Sequence, residues 1–446
     1  MSAALNRRDL LVQLAAAPAA GAMLGSLSRP AAAGVGWGRG PRSGLPFWFG
    51  GYSDLDSLRS LMPAGRSLDL IGEFEAEGTY TYVASERTRG WPTKDWHKNY
   101  LLTGRVSAFQ WTSSPFCSGA SFVVPSAWPS SAAAMNSGVH LHCCRPPTYT
   151  GHETASERTA KQRRVWQIAA NGWMDGIWRQ KMLTFKRDYF IKAGLRNIRI
   201  ILRACHELNT SARWGDRTYR RAFCMMLLTT PGDYAIVREA LRRYFAVFLD
   251  VFGNRQASIT NDYAYTDSQL WPYWNTLKDH QGPVDVRLTC PGNAKLVGPD
   301  FYDHYGASLT DAIWNQEVVR VTREGWPIGV QRWLEWARSI GKPLALGEVG
   351  LMTKRFGPGG SRHPSEGWDN PVYIRRLLDF CKANAADIGF ISYFNRDNTA
   401  SSQLPAHLIK PWAGIESHAT ACSRNPPGDN NRCGARAFRE WMAANA

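Results

Sequence analysis

The stretch NIRIILRACHELN, residues 197–209, gives the clearest indication of the fold. An apolar run that is typical of a strand buried in a parallel sheet leads directly into His206 and Glu207. The stretch PLALGEVG, residues 343–350, repeats the pattern and delivers Glu348. In a β/α barrel the active site lies at the carboxyl ends of the strands. We therefore expect two carboxylates at the exits of two strands, on the same rim of one sheet.

Further strands and helices alternate on both sides of these two stretches. Strands are predicted at residues 45–50, 68–74, 121–125, 197–204, 257–261, 294–300, 343–348 and 388–394. Helices with apolar residues at three- and four-residue spacing are predicted at residues 173–193, 233–252, 330–340 and 372–385. The alternation predicts a single α/β domain, a (β/α)8 TIM barrel. A doubly wound sheet has the same alternation, but no glycine-rich dinucleotide fingerprint follows the first strand.

Three stretches do not fit this alternation. Residues 79–119 and 145–161 are long, polar and rich in Trp, Pro, Ser and Thr, so they are predicted to be extended loops over the barrel. Residues 404–432 form a third irregular excursion, and residues 435–444 are predicted to be a closing helix.

The N-terminus resembles a bacterial twin-arginine export signal. Arg7 and Arg8 precede an Ala-rich apolar stretch, and three alanines at residues 31–33 supply a small-residue cleavage pattern. Several polar, Gly and Pro residues dilute the stretch, which disfavours a membrane anchor. We expect residues 1–33 to be removed, and residues 34–446 to be a periplasmic or secreted barrel domain without stable membrane insertion.

The chain is strongly basic, with a formal net charge of +16. Residues 1–33 contribute +2 of it through Arg7, Arg8, Arg29 and Asp9, which leaves +14 on the predicted mature chain. A basic surface favours an acidic glycan, a nucleic acid or an anionic surface as partner, or serves solubility alone. No nucleic-acid-binding motif is present, so we expect no nucleic-acid partner. We also expect the protein to be a monomer.

Nine cysteines and one His-Cys run bear on disulfides and metals. Cys422 and Cys433 flank a loop rich in Pro, Gly and Asn and are the first disulfide candidates. Cys117 with Cys143 or Cys144 is a second candidate pair. The run HLHCC, residues 140–144, has side chains that could ligate a metal, but a disulfide in a polar loop is the favoured interpretation. No metal site and no cofactor are predicted.

Two carboxylates at strand exits fit one kind of chemistry especially well. Glycoside hydrolysis needs a carboxylic acid that protonates the departing oxygen and a carboxylate that meets the developing oxocarbenium charge. When the two groups lie about 5 to 5.5 Å apart, the carboxylate attacks directly and configuration is retained. Glu207 and Glu348 are the candidates, with Arg203 and His206 as polar neighbours.

A series of motifs resembles glycoside hydrolase family 26, which includes β-mannanases. The series covers about residues 165–400 in order, and no single piece of it is specific. The motifs are GWMDGIW 172–178, AGL 193–195, IRIILR 198–203, HELN 206–209, Trp214, PGN 291–293, VGPDFYD 297–303, GKPLALGE 341–348, DNP 369–371 and SYFN 392–395.

The resemblance implies a role for several matched residues. It makes Glu207 the acid/base, Glu348 the nucleophile, His206 the histidine before the acid/base, and Tyr302 the tyrosine that steadies the nucleophile. The sequence departs from the family pattern at Asn293, where many relatives carry Asp, at Cys205, and at the end of strand eight. There Tyr393-Phe394-Asn395 lacks the Trp common in barrel glycosidases. These departures concern the substrate more than the reaction.

Substrate contacts are expected from polar and aromatic residues near the same rim. Arg203 and Asn209 flank the predicted acid/base. Nineteen tryptophans are many for this length, and aromatic rings stack on sugar faces in glycan clefts. Among the tryptophans in predicted loops, Trp214 and Trp314 are the chosen candidates, with Trp326 and Trp368 beside them.

The sequence therefore predicts an exported retaining endo-β-glycanase. β-Mannan is the first expected substrate, mixed-linkage glucan the next, and an acidic exopolysaccharide stays open because of the basic charge. The alternative is a catalytically inactive barrel that binds glycan or takes part in polysaccharide assembly. Glycosyl transfer by the same residues is a third option.

Overall fold

The computed structural model describes residues 37–53, 55–74, 106–113, 115, 154–191, 198–204, 208–209, 228–253, 264–278, 284–302, 310–351, 371–395 and 434–446. Its eight strands form a closed barrel in chain order, and every neighbouring pair is parallel. The predicted (β/α)8 barrel is confirmed. The strands are β1 Trp48–Ser53, β2 Leu70–Phe74, β3 Ala108–Ser113, β4 Arg199–Ala204, β5 Leu270–Leu277, β6 Leu296–Tyr302, β7 Leu344–Gly350 and β8 Ile388–Asn395.

Helices surround the barrel, and five of them confirm predicted ones. Within the described ranges no helix combines the length and the apolar character that crossing a bilayer requires. The helices are α1 Leu55–Ser60, α2 Ala155–Ala170, α3 Asp175–Phe185, α4 Pro231–Gly253, α5 Asp311–Glu317, α6 Val330–Ser339, α7 Pro371–Ala383 and α8 Gly434–Asn445. A π-helical turn, Lys186–Ile191, continues α3.

Two of the eight strands lie elsewhere than predicted. The third strand, β3, falls within residues 79–119, which were expected to be loop, and the fifth, β5, follows the predicted residues 257–261. Residues 121–125 and 257–261 are outside the described ranges. Both strands carry polar residues that face the barrel interior, Gln110 and Thr112 on β3 and Asn275 on β5, and Pro272 lies within β5. Because these residues break the apolar runs, the two strands were not predicted at these positions.

One predicted loop contains a helix. Residues 145–161 were expected to be extended, but α2 begins at Ala155. Thr154 caps it, because its hydroxyl accepts a hydrogen bond from the Glu157 N–H while the Glu157 carboxylate accepts one from the Thr154 N–H. The capping box was readable in the sequence, but the polar composition of α2 favoured a loop. The predicted signal at residues 1–33 and the excursion at residues 404–432 lie outside the described ranges.

The outer core lies between the strands and the helices. Helix α4 is its largest contributor and packs on β4, β5, α2 and α3. Its buried residues recur at three- and four-residue spacing, which is the pattern that predicted it. The large ones among them include Tyr234, Val237, Leu241, Tyr244, Phe245, Phe248 and Phe252.

The amino-terminal end of the barrel is closed by aromatic residues. The Trp37 ring lies edge-on to Trp48, with ring centroids 4.9 Å apart, and to Trp271 at 5.1 Å. Phe390 packs on the Trp37 ring, and the Arg199 guanidinium lies 4.8 Å from the Trp37 ring centroid. These aromatic side chains fill the amino-terminal end of the barrel. A functional site is therefore expected at the carboxyl ends of the strands.

A buried carboxylate attaches the segment that carries Trp37 to the barrel. Asp69 accepts hydrogen bonds from the backbone N–H groups of Arg42, Ser43 and Phe49, at 2.8 to 3.0 Å. Gly40 passes so close that a Cβ there would lie 2.3 Å from Asp69 Oδ2. Burial nevertheless raises the pKa of Asp69 above its usual value, since these hydrogen bonds offset only part of the desolvation.

Candidate active site

A β-bulge in β7 turns Glu348 into the barrel. Val297 and Phe301 are four residues apart on β6, but their partners on β7, Leu344 and Val349, are five apart. The pairing with β8 also shifts between Leu346 and Val349. Leu346 and Val349 both belong to the outer core although they are three residues apart, which a regular strand does not allow. The extra residue therefore lies at Gly347-Glu348, and bulges of this kind redirect side chains near active sites.

Both carboxylate oxygens of Glu348 are held by charged or polar donors. Arg203 Nη1 on β4 donates to Oε2 at 2.6 Å, and the Tyr302 hydroxyl at the end of β6 donates to Oε1 at 2.5 Å. All three side chains are buried. Hydrogen bonds from charged and hydroxyl donors stabilise the ionised form of a carboxylate and fix its orientation. Glu348 is thus positioned as an oriented anion at the carboxyl end of the barrel.

Arg203 is shared between two carboxylates. Its Nη2 donates to Asp300 on β6, and its Nε donates to Asn275 Oδ1 on β5 at 2.9 Å. Burial disfavours the charged guanidinium, but Asp300 and Glu348 outweigh that effect and hold the pKa of Arg203 well above its usual range. A buried charge is tolerated when it is paired and hydrogen-bonded in this way.

Tyr52 on β1 links Arg203 to Thr112 on β3. Its hydroxyl accepts a 3.4 Å hydrogen bond from Arg203 Nη1 and lies 3.1 Å from Thr112 Oγ1. Burial raises the pKa of Tyr52, so the hydroxyl stays protonated. Gly72 on β2 provides the space, because a Cβ there would lie 2.1 Å from the Tyr52 ring.

An aromatic cluster lies beside these groups. The Phe394 ring at the end of β8 is edge-on to Tyr302, with centroids 6.4 Å apart, and to Tyr52 at 6.3 Å. Phe394 occupies the end of strand eight where the sequence lacks the Trp that is common in barrel glycosidases. The rings of Tyr52, Tyr302 and Phe394 are all buried and form one apolar cluster next to Glu348.

The structure brings together only some of the predicted site residues. Glu348 is in direct contact with Arg203 and with Tyr302, and the contact with Tyr302 is the one that the family resemblance implied. Glu207, His206 and Trp214 lie outside the described residues, as do Trp368, the His-Cys run at residues 140–144, and the candidate disulfide partners Cys422 and Cys433. In sequence, Glu207 follows the last residue of β4 by three positions.

Asn209 has a different role from the substrate contact that was expected. Its Oδ1 accepts hydrogen bonds from the Leu277 N–H at 2.7 Å and from the Thr276 hydroxyl, and its Nδ2 donates to the Leu277 carbonyl at 3.3 Å. The amide thus pairs with the end of β5 much as a strand residue would. These contacts hold Asn209 against the end of β5.

The prediction that Trp314 lies in a loop is wrong. Trp314 belongs to α5, where it is 5% exposed, and its ring packs edge-on against Tyr373 of α7. Burial between helices assigns Trp314 to the core, not to a sugar-binding surface. Trp326 does lie in a turn between α5 and α6, where it is half-buried.

Sequence reasoning missed Asp300 and Asn275 as site residues. Asp300 lies two positions before Tyr302, and Asn275 lies two positions after Tyr273 on β5. The period of two in a strand could have placed Asp300 on the same face as Tyr302. No comparable signal was available for Asn275, because β5 itself was not predicted.

Comparisons with known proteins find likeness in structure but not in sequence. No family model matches the chain, and no curated protein matches it. GH26C from Muricauda sp. MAR_2010_75 has 13% identity over 90% of this chain and 86% of its own, with a TM-score of 0.49. The catalytic domain of the Bacillus sp. JAMB-750 GH26 endo-β-1,4-mannanase has 13% identity over 89% and 85%, with a TM-score of 0.45. The GH26 β-mannanase BoMan26A of Bacteroides ovatus has 12% identity over 90% and 89%, with a TM-score of 0.41.

Proposed function

We propose that this protein is a retaining glycoside hydrolase that cleaves a β-linked polysaccharide, with Glu348 as nucleophile and Glu207 as acid/base. The observation that carries the proposal is the environment of Glu348. A bulge turns this carboxylate inward at the carboxyl end of a closed barrel, and Arg203 and Tyr302 each bind one of its oxygens. A buried, oriented carboxylate at this end of a barrel is what the first step of a retaining mechanism requires.

In the proposed first step, a Glu348 carboxylate oxygen attacks the anomeric carbon. The glycosidic C–O bond breaks, and the Glu207 carboxylic acid gives its proton to the departing oxygen. The product is a glycosyl ester on Glu348. Arg203 and Tyr302 keep the attacking carboxylate in place before the bond forms and receive it again after the ester is hydrolysed.

In the second step, the Glu207 carboxylate removes a proton from water while the water oxygen attacks the anomeric carbon. The ester bond breaks, the sugar leaves with its original configuration, and Glu348 is again a carboxylate. Two opposite displacements at one carbon account for the retention.

β-Mannan is the proposed first substrate, on the strength of the ordered motifs at residues 165–400. Mixed-linkage glucan comes next, and the charge of +14 on residues 34–446 keeps an acidic exopolysaccharide in the set. We propose endo action by a monomer that is exported to the periplasm or beyond.

The test uses the purified chain without residues 1–33 on β-mannan, mixed-linkage glucan and an acidic exopolysaccharide. Release of reducing sugar by the wild type and at least a 1000-fold loss in Glu348→Ala are expected, and proton NMR of the first product should show the β-anomer. Longer products would indicate glycosyl transfer. A wild type that binds these glycans but cleaves none would favour the inactive binding protein, and an initial α-anomer would refute retention.

A further inference from the structure

The bulge that aims Glu348 is itself held by side chains inside the barrel. A bulge interrupts the ladder, so the backbone groups of the extra residue need other partners. The Tyr273 hydroxyl on β5 accepts a hydrogen bond from the Gly347 N–H at 3.0 Å and donates to the Ala345 carbonyl at 3.0 Å. Burial raises the pKa of Tyr273, so its hydroxyl remains a donor.

A second side chain reaches the bulge from across the barrel. Gln110 Nε2 on β3 donates to the Gly347 carbonyl at 3.3 Å. Tyr273 and Gln110 therefore serve the N–H and the carbonyl of Gly347, respectively. Gly347 has to be glycine for this arrangement, because a Cβ would lie 2.5 Å from the Tyr273 ring.

The Gln110 side chain is costly for stability. Gln110 is fully buried, and its Oε1 has no hydrogen-bond partner in the described part of the chain. A buried polar atom without a partner destabilises the fold. The same amide donates to the Gly347 carbonyl, so the side chain that carries this cost also supports the bulge.

Strand β5 also orients the Arg203 guanidinium, which binds Glu348. Asn275 Nδ2 donates to the Tyr273 hydroxyl at 3.0 Å and to Asp300 Oδ1 at 2.9 Å, and its Oδ1 accepts from Arg203 Nε. The amide accepts from the guanidinium on one side and donates to the carboxylate on the other, without adding a charge. Asn275 thereby connects the support of the bulge to that of Arg203.

We infer that Tyr273, Gln110 and Asn275 are positioning residues for the nucleophile. Tyr273 and Gln110 hold the backbone on either side of Gly347, which sets the direction of the Glu348 side chain. Asn275 fixes the guanidinium plane that meets the Glu348 carboxylate. The inference rests on the proposed function for its catalytic consequence, while its structural part concerns Glu348 alone.

The first test is Tyr273→Phe, which removes one hydroxyl and keeps the ring. We expect kcat to fall about 10- to 100-fold while KM changes less than about threefold, because misalignment of the attacking carboxylate affects the chemical step. The acidic limb of the pH–activity profile should move to higher pH, since a loosened contact with Arg203 favours the ionised carboxylate less. Retention of wild-type kcat and of the wild-type limb would overturn the inference.

Tyr244→Phe is the matched control. The Tyr244 hydroxyl is equally buried, but it lies on α4 and pairs with Ser113 Oγ at 2.7 Å on the outer side of the barrel. Its loss should lower the melting temperature without moving kcat or the acidic limb. An equal effect of both variants on kcat would contradict the inference.

Gln110→Met separates positioning from stability, and it carries the test if Tyr273→Phe does not fold. The variant removes the unpartnered Oε1 together with the bond to Gly347. The loss of the unpartnered Oε1 and the loss of the donor to the Gly347 carbonyl have opposite effects on stability, so we expect a melting temperature close to that of the wild type with a kcat that is about 10-fold lower. A lower melting temperature with unchanged kcat would show a purely structural role.

A readout without substrate distinguishes a failure of this inference from a failure of the proposed function. Melting temperatures are compared for Tyr273→Phe, Glu348→Gln and the double variant. If Tyr273 acts on the Glu348 position, the two losses are not additive. Additive losses would refute the inference even if the wild type is an active glycosidase, and non-additive losses would support it even if the wild type cleaves no glycan.

Discussion

At the scale of single residues, the guanidinium of Arg203 organises the site. It is fully buried and forms ion pairs with Asp300 and Glu348. Because both carboxylates are buried, each depends on Arg203 for compensation of its charge. Its five N–H groups in a planar fork suit this task in a way that an ammonium group does not.

Replacement of Arg203 should therefore affect stability and activity by different amounts in different variants. Arg203→Met leaves two buried carboxylates uncompensated and should cost about 3 to 5 kcal/mol in the free energy of unfolding. Arg203→Lys keeps the charge but not the fork, so it should be more stable than Arg203→Met and still lose most of kcat. Urea denaturation and initial rates measure the two effects. Equal stability of the Met variant and the wild type would contradict the ion-pair assignment.

At the scale of elements, particular side chains bind the backbone groups at two element ends. Asn209 serves the end of β5, and Lys186 serves the end of α4. Lys186 Nζ donates to the Val251 and Phe252 carbonyls at 2.9 and 3.2 Å. These carbonyls belong to the last turn of the helix, where a cation is also favoured by the helix dipole.

Lys186 should make stability depend on pH in the alkaline range. Burial lowers the pKa of Lys186 to about 8, from 10.5 in an exposed lysine. Between these values the unfolded chain binds more protons than the folded one, so the free energy of unfolding rises with pH. The free energy of unfolding of the wild type should therefore rise by about 1 to 3 kcal/mol relative to that of Lys186→Met from pH 8 to pH 10. Urea unfolding at the two pH values measures it, and a constant difference would contradict the lowered pKa.

The assignment of Trp314 to the packing of α5 has its own test. Trp314→Ala should cost about 3 to 5 kcal/mol in the free energy of unfolding, as large-to-small changes in a core do. KM for a polysaccharide should stay within about twofold, because the ring contacts Tyr373 and not the site at the barrel rim. A KM that rises tenfold in a stably folded variant would restore Trp314 as a sugar-binding residue.

At the scale of the whole molecule, the barrel has one end closed by aromatic side chains and carries the Glu348 network toward the other. Trp37, Trp48, Trp271 and Phe390 close the amino-terminal end. Arg203, Glu348 and Tyr302 lie toward the other. A strand rises about 3.3 Å per residue, so the length of a strand separates the two sets.

The separation predicts that the closed end can be damaged without harm to the site. Trp37→Ala should lower the free energy of unfolding by about 3 to 5 kcal/mol. At a temperature where the variant is folded, kcat and KM should equal those of the wild type. Chemical denaturation and initial rates measure both. A changed kcat in the folded variant would show that the two ends are coupled.

Patterns within the sequence predict the alternation of strands and helices, the barrel that this alternation implies, and a glutamate near the carboxyl end of β7. These properties are local, because they depend on the spacing of apolar residues and on the residue type that comes directly after each apolar run. The local signal failed for β3 and β5, whose inward faces carry Gln110, Thr112 and Asn275.

The polar groups that contact Glu348 are apparent only from the tertiary structure. Arg203 is 145 positions away in the chain and Gln110 is 237 positions from Gly347, so no pattern within a strand joins them. The direction of Glu348 depends on a bulge that is visible only in the pairing of β7 with β6 and β8. Closing the barrel brings these strands around one interior, and burial there makes each charge depend on a partner from another strand.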